Sequence, residues 1–250
     1  MAGDDGLDLW ALVPGDIVGI DRYGNGPPVW LVAWTGRAAR CLEAPVPTVC
    51  HVLAVVEEQL SSGDLECLVD GCGGVLAPWW YGVERDLVGL NGGVERVRPR
   101  RAICRSCSRT RVLLPDTMLR RRQYGVEVIG EALALAAKGW AWTRIAARLG
   151  VAYATVRGWL RRMVRRADLV RAWLLGLLGA LVDDPWLPAG EQRPLADALV
   201  VLDALRRQLP ARWPLVARLS RWRLVARLSR SGLLAPPWPL DHLNASRPVT

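Results

Sequence analysis

The spacing of apolar residues changes near residue 119 of this 250-residue chain. Before that point, short apolar runs alternate with turn residues such as Pro, Gly, Asn and Asp, which favours short strands. From 119 to 166 the apolar positions recur about every 3.6 residues, which predicts helices. Helical spacing continues over 167–209, with proline-containing breaks at 184–185 and 188–190. We therefore predict a mainly α protein with a small β part.

The pattern divides the chain into four segments. Residues 1–60 are predicted as an N-terminal segment of short strands and loops, and 61–118 as strands joined by Gly-rich turns. Residues 119–166 are predicted as a three-helix domain, and 167–250 as a helical region with a Pro-rich tail. Within the last segment, 194–208 is amphipathic. One face of that predicted helix carries Leu195, Leu199, Leu202 and Leu205.

The tail also contains a short duplication. The heptad Leu-Val-Ala-Arg-Leu-Ser-Arg occurs at 215–221 and again at 224–230, nine residues later. Two copies are too few for a repeat architecture, which needs at least three. We interpret the duplication as a local event in a tolerant tail.

Charge is distributed unevenly along the chain. Residues 1–94 have a net charge of −9, residues 95–125 of +8, residues 126–171 of +6, and the remainder of +4. The excess of Arg over Lys is interpreted mainly as a consequence of genome base composition. A basic block that follows an acidic segment indicates a local binding site for a polyanion.

The chain has no predicted targeting or membrane segment. Its acidic N-terminus lacks the basic start of a signal peptide. The longest uncharged apolar run, 172–182, is shorter than the roughly 20 residues of a membrane span. We expect a cytoplasmic protein without a membrane partner, in which the six cysteines are metal ligands or buried thiols before they are disulfides.

Residues 139–160 have the spacing of a helix-turn-helix. Ala146 is small where the second helix crosses closely, and Gly150 allows the left-handed turn between the two helices. The apolar residues Val156 and Trp159 follow at the expected positions. Upstream, 126–138 supplies a third helix with Ile129, Leu133 and Ala136 at helical spacing. An ordinary helical hairpin is the alternative interpretation.

The predicted N-cap positions of this pair of helices carry Ala141 and Ala152, where Ser, Thr or Asp would cap better. A missing cap costs about 1 kcal/mol. We therefore expect the domain to depend on neighbouring segments for stability.

A helix-turn-helix places its second helix in the major groove of double-stranded DNA. On the predicted helix 152–163, Tyr153, Ala154 and Arg157 would face bases, Ala154 suiting a thymine methyl group and Arg157 a guanine. Thr155 would bind phosphate or its own helix backbone. The predicted phosphate contacts are Arg161, Arg162, Arg165, Arg166, Arg120, Arg121 and Arg122. A solvated helix face is the alternative for each arginine of the helix.

Four cysteines have the spacing of a zinc site. Cys104 and Cys107 form a Cys-x2-Cys pair, and Cys67 with Cys72 forms a Cys-x4-Cys pair. Two such pairs on adjacent hairpins are typical of a zinc ribbon. Four thiolates leave no open coordination position, so the predicted Zn²⁺ is structural. The competing ligands are Cys41, Cys50 and His51, and His242 in the tail is interpreted as incidental.

Arginines alternate along 95–101, which would line one face of a strand with positive charge. A second phosphate-binding surface and a charged, aggregation-resistant edge strand are the two interpretations of this pattern.

The segment from 67 to 163 resembles an uncharacterised bacterial family in which a zinc ribbon leads directly into a helix-turn-helix. The residues that carry the resemblance are 104–107 (Cys-Arg-Ser-Cys), 113–115 (Leu-Leu-Pro), 120–129 and 139–160. This family is associated with insertion-sequence transposases. The resemblance covers about 40 per cent of the chain and implies DNA binding and zinc. The wider first cysteine pair departs from it.

These patterns predict a DNA-binding protein, transposase-associated or a transcriptional regulator. The alternative is the DNA-binding part of a transposase or recombinase whose catalysis is supplied by another chain. We predict no enzyme, because a metal-dependent strand-transfer site needs two or three carboxylates on a scaffold of roughly a hundred residues. The acidic residues after 166 lie on predicted broken helices without a strand pattern. The predicted partner is double-stranded DNA, and residues 167–209 are a candidate surface for a homodimer. We expect the protein to be associated with the nucleoid when it is bound to DNA.

Overall fold

The computed structural model describes residues 47–69, 71–190 and 193–234. The predictions for residues 1–46, including Cys41, and for His242 lie outside these ranges. The described ranges contain seven α-helices and a small β region, as the sequence pattern predicts. Among them, no helix combines the length and the apolar character that a membrane crossing requires.

The β region consists of six short strands. They are β1 (Thr48–Val49), β2 (Leu76–Tyr81), β3 (Arg85–Val88), β4 (Val94–Val97), β5 (Arg100–Cys104) and β6 (Thr110–Pro115). Four strands form a sheet in the order β1-β6-β5-β2, in which only the β1–β6 pair is parallel. Strands β3 and β4 form a separate antiparallel hairpin. Strands β2 to β6 lie within the 61–118 segment, where strands were expected, and β1 lies before it.

A helix, α1 (Leu53–Ser62), packs on the four-stranded sheet, within the segment predicted as strands and loops. That prediction is wrong for these residues. The helix buries Val56 and Leu60, which are four positions apart and therefore lie on the same face. The carboxylate of Glu57 accepts two hydrogen bonds from Arg100 of β5, one from Nε at 2.5 Å and one from a second guanidinium nitrogen.

Six further helices form the larger part of the molecule. They are α2 (Val126–Ala137), α3 (Trp142–Leu149), α4 (Tyr153–Val164), α5 (Ala167–Leu181), α6 (Pro194–Gln208) and α7 (Arg221–Leu228). Two 3-10 helices, Leu209–Ala211 and Pro214–Arg218, connect α6 to α7. The apolar faces of these helices share one hydrophobic core. The bounds of α2 and α6 agree closely with the predicted helices 126–138 and 194–208.

Helices α5 and α6 bury their apolar faces inside this chain. Leu195, Leu199, Leu202 and Leu205 are all buried in the common core. A homodimer through residues 167–209 stays a prediction, and its interface would have to use other side chains. The exposed large apolar residues among the described residues of this part are Trp186 and Leu187, in the connection between α5 and α6.

The two copies of the duplicated heptad differ in structure. The first copy begins inside the 3-10 helix Pro214–Arg218, whereas the second begins inside α7. Leu224, Val225 and Ala226 of the second copy are buried. The burial contradicts the interpretation of a tolerant tail, because these residues belong to the larger hydrophobic core.

Candidate nucleic-acid interface and four-cysteine cluster

The turn between α3 and α4 has the geometry that the glycine spacing predicts. Gly150 has a φ of 63°, and the N–H of Val151 donates to the carbonyl of Ala146 at 3.1 Å. This closes α3 and starts the chain in a new direction. Ala141 and Ala152 are the N-cap residues of the two helices, and neither cap has a side-chain hydrogen bond. The structure confirms both alanines as N-cap residues, and the dependence of the domain on neighbouring segments stays a prediction.

Helix α4 has one anchored face and one free face. Val156, Trp159 and Met163 are buried in the core, which fixes the orientation of the helix. The free side carries Tyr153, whose exposed fraction is 61%, together with the exposed Ala154 and Arg157. Thr155 is half-buried. The free face therefore presents the three residues predicted to face bases.

Positive charge continues along and beside α4. Arg161, Arg162 and Arg165 are exposed, and Arg166 is half-buried. Burial lowers the pKa of Arg122, and the charges of Arg162 and Arg121 lower it further. Arg122 therefore lies close enough to Arg162 and Arg121 to be repelled by both.

Two of the predicted phosphate contacts also connect to the C-terminal segment. A guanidinium nitrogen of Arg122 donates to the carbonyl of Leu234 at 2.9 Å, and the backbone N–H of Arg120 donates to the carbonyl of Ser231. Arg122 therefore has a structural contact in addition to its position beside Arg162. The sequence pattern gave no sign of this contact, since its partner is 112 residues away.

Trp142 is a residue of this surface that the sequence reasoning missed. It is the first residue of α3, and its indole ring lies 5.6 Å from the ring of Tyr153 at an interplanar angle of 37°. The guanidinium carbon of Arg157 lies 5.9 Å from the same indole. The position of Trp142 could have indicated this, because it is a large aromatic residue at the start of a helix. The buried residues of that helix are Ile145 and Ala146, so Trp142 is not needed for its core.

The four predicted metal ligands come together in the structure. Cys67 and Cys72 precede β2, whereas Cys104 ends β5 and Cys107 lies in the turn before β6. All four sulfur atoms lie within 4.8 Å of one another, with 3.7 Å between Cys67 and Cys107 and 3.6 Å between Cys72 and Cys104. A tetrahedral site with metal–sulfur bonds of about 2.3 Å has sulfurs about 3.8 Å apart. The cluster is compatible with a metal site.

Backbone groups favour the thiolate form of Cys104. The N–H groups of Ser106 and Cys107 donate to Sγ of Cys104. These donors, that of Cys107 first, lower the pKa of Cys104 to about 6, whereas burial raises the pKa of Cys67 to about 12. Gly74 is required here by close approach, since a Cβ would lie 2.8 Å from Sγ of Cys104. A bound cation would stabilise all four thiolates, because metal ligands must be deprotonated.

The competing ligands Cys50 and His51 belong to another part of the molecule. Nδ1 of His51 lies 2.7 Å from a guanidinium nitrogen of Arg223 and 3.6 Å from the buried carboxylate of Asp116. Within the described ranges, the group of metal-ligating side chains that the structure brings together is the set of four cysteines. The sequence gave no sign of the contact between His51 and α7.

A family model for a homeodomain-like domain matches residues 126–170, which include α2, α3 and α4. Searches of curated proteins and of solved structures gave no match. The matched segment contains the anchored and free faces of α4 described above. The chain thus carries a homeodomain-like helix-turn-helix, and this match supports DNA binding in general.

Proposed function

We propose that this chain is a sequence-specific double-stranded DNA-binding protein with α4 as its recognition helix. The observation that supports the proposal most directly is the free face of α4 inside the homeodomain-like segment. Tyr153, Ala154 and Arg157 are exposed on its N-terminal half, the part of a recognition helix that contacts base edges. The remaining α4 arginines follow on its C-terminal half, where phosphate contacts position the helix.

The test is selection of binding sites from random-sequence duplex DNA at a stated salt concentration. We expect one enriched motif. Arg157→Ala should relax the preference at one base position, at a cost of about 1–3 kcal/mol. Arg165→Ala is the matched control, which should weaken binding to all sequences alike. Wild-type protein that enriches no motif would refute the sequence-specific proposal.

We propose Zn²⁺ as the ion of the four-cysteine cluster. Four sulfur ligands in tetrahedral arrangement suit zinc or an iron–sulfur centre. A zinc held by Cys67, Cys72, Cys104 and Cys107 would have a structural role, as in a zinc ribbon. Elemental analysis of protein purified without an affinity tag should give about one zinc per chain. Folded protein without zinc, or with iron in its place, would contradict this assignment.

The biological role that we propose is transposase-associated DNA binding or transcriptional regulation, with any strand-transfer chemistry supplied by another chain. The selected motif distinguishes the two roles. Sites at the ends of mobile elements would support the first, and sites upstream of genes the second. Sedimentation at tens of micromolar tests the homodimer, since a chain that stays monomeric there excludes it. A homodimer would contact two half-sites about one DNA turn apart.

A further inference from the structure

Trp142 joins the two helices of the helix-turn-helix on their exposed side. It is the first residue of α3, and its exposed fraction is 37%. Tyr153, the first residue of α4, lies against its ring, and Arg157 follows one helical turn later. Residues four apart on a helix share a face. Trp142 therefore contacts two residues to which we assign base contacts.

The guanidinium group of Arg157 lies over the indole ring of Trp142. The guanidinium carbon lies 5.9 Å from the indole ring, within the range of a cation–π interaction. No carboxylate of the described residues forms an ion pair with Arg157. An arginine side chain loses considerable rotamer entropy when two of its guanidinium nitrogens bind one base. This loss is smaller when the side chain is already held in place before DNA binds.

We propose that Trp142 is a positioning residue that holds Arg157 in the orientation for a bidentate contact with guanine. This inference rests on the proposed function and adds to it a specificity-determining residue outside the recognition helix. Trp142 acts through Arg157, so its effect requires both the arginine side chain and the acceptor atoms O6 and N7 of the guanine.

The chain offers a matched control for the aromatic substitution. Trp186, between α5 and α6, is 60% exposed, and the guanidinium carbon of Arg207 lies 5.8 Å from its ring. This pair has the same chemistry as Trp142 with Arg157 but lies outside the homeodomain-like segment. Trp186→Ala removes an exposed tryptophan and a similar cation–π contact without touching α3 or α4.

The experiment measures affinity for a duplex selected from the random pool and for a scrambled duplex of the same length. The variants are Trp142→Ala, Trp142→Phe, Arg157→Ala, Trp186→Ala and the double variant of Trp142→Ala with Arg157→Ala. Trp142→Ala should lower the ratio of specific to non-specific affinity by about two- to fivefold. Arg157→Ala should lower it by about fivefold or more. The double variant should match Arg157→Ala, and Trp142→Phe should retain part of the effect.

A second measurement uses the selected duplex with 7-deazaguanine in place of guanine at the position assigned to Arg157. This base lacks the N7 acceptor, so Trp142→Ala should no longer lower the affinity for it. Losses that multiply in the double variant, or an equal loss on scrambled DNA, would overturn the proposal. So would an effect of Trp186→Ala as large as that of Trp142→Ala. Thermal unfolding shows whether the Trp142→Ala variant is folded. If it is not, the same affinities are compared for Trp142→Phe instead.

The two proposals fail in different ways. Wild-type protein without a selected motif refutes the proposed function, and with it this inference. Wild-type protein that selects a motif, with Trp142 and Arg157 acting independently, refutes this inference alone.

Discussion

Glycine is needed in this protein for two different reasons: a positive φ angle and close packing. Gly139 and Gly150 have positive φ angles at helix ends, as the spacing predicts for Gly150. Gly130 lies inside α2, where glycine costs about 1 kcal/mol relative to alanine. The structure gives the reason: a Cβ at Gly130 would lie 2.1 Å from the indole of Trp222 on α7. Gly130 therefore allows α2 and α7 to pack closely.

Gly130→Ala should destabilise the protein. The added methyl group cannot fit unless Trp222 moves, and overpacking of this kind costs about 1–3 kcal/mol, more than the helix propensity of alanine returns. Chemical denaturation monitored by tryptophan fluorescence gives the free energy of unfolding. Gly179→Ala on the exposed side of α5 is the control, since a Cβ there meets nothing within 4 Å, and this variant should be neutral or stabilised. If Gly130→Ala were as stable as Gly179→Ala, the packing argument would be wrong.

Residues such as Gly130 could not be identified from the sequence. Gly130 is about a hundred residues from its partner Trp222, and Asp116 is about as far from its partners on α7. No local sequence pattern connects residues so far apart. The four cysteines were predicted because each pair is local and metal chemistry restricts the spacing. The face of α4 was predicted because helical periodicity fixes which residues share a side.

The helix-turn-helix is made of elements with weak ends. Helices α3 and α4 begin at alanines, whereas α7 begins at Ser220, whose hydroxyl accepts a hydrogen bond from the N–H of Arg223. The same Ser220 hydroxyl also donates to Glu127 of α2. The capped helix α7 therefore supports α2, on which α3 and α4 pack.

Ala141→Ser should stabilise the protein by about 1 kcal/mol. Ala141 is exposed and already has the extended backbone of an N-cap, so the serine hydroxyl can accept from an N–H in the first turn of α3. Thermal unfolding measures the change. Ala147→Ser places the same side chain at an exposed position inside α3, where it should be neutral or slightly destabilising. Equal effects of the two substitutions would exclude a capping mechanism.

Helix α1 shows where local patterns mislead at the scale of an element. The run Leu-Ala-Val-Val at 53–56 contains β-branched residues, which favour strands. The helix forms because Val56 and Leu60 together cover the four-stranded sheet, and Glu57 pairs with Arg100. Tertiary packing overrides the local preference here. Helices α2 and α6 were predictable because twelve and fifteen residues of consistent periodicity leave no such conflict.

The described part of the molecule has two hydrophobic cores of unequal size. The smaller one contains Cys67 and Cys104 with residues of α1 and the sheet, and the larger one contains the helices from α2 onward. A core as small as the first gives little stability by itself, and a structural metal is a common supplement. We therefore expect the smaller core to depend on the cysteine cluster and on its contacts with the rest of the chain.

Those contacts converge on one buried carboxylate. Asp116, directly after β6, is fully buried and accepts hydrogen bonds from Arg223 and Arg227 of α7. Thr48 of β1 and Ser231 after α7 are also within hydrogen-bond distance, at 2.9 Å. The C-terminal helix thus contacts the sheet through Asp116 and contacts α2 through Trp222 and Ser220. We infer that α7 holds the sheet and the helix-turn-helix in a fixed relation.

Asp116→Asn should therefore destabilise the whole molecule. Asparagine keeps the shape of the side chain but leaves Arg223 and Arg227 without their buried counter-charge, and loss of one partner from a buried ion pair costs about 3–5 kcal/mol. Urea denaturation provides the measurement. Asp203→Asn is the matched control. Asp203 of α6 pairs at 3.1 Å with Arg221, which lies on α7 like Arg223 and Arg227, but the side chain of Asp203 is 39% exposed. An exposed ion pair of this kind predicts a loss of at most about 1 kcal/mol. Equal losses in the two variants would mean that the contact between the sheet and α7 contributes no more than a surface ion pair.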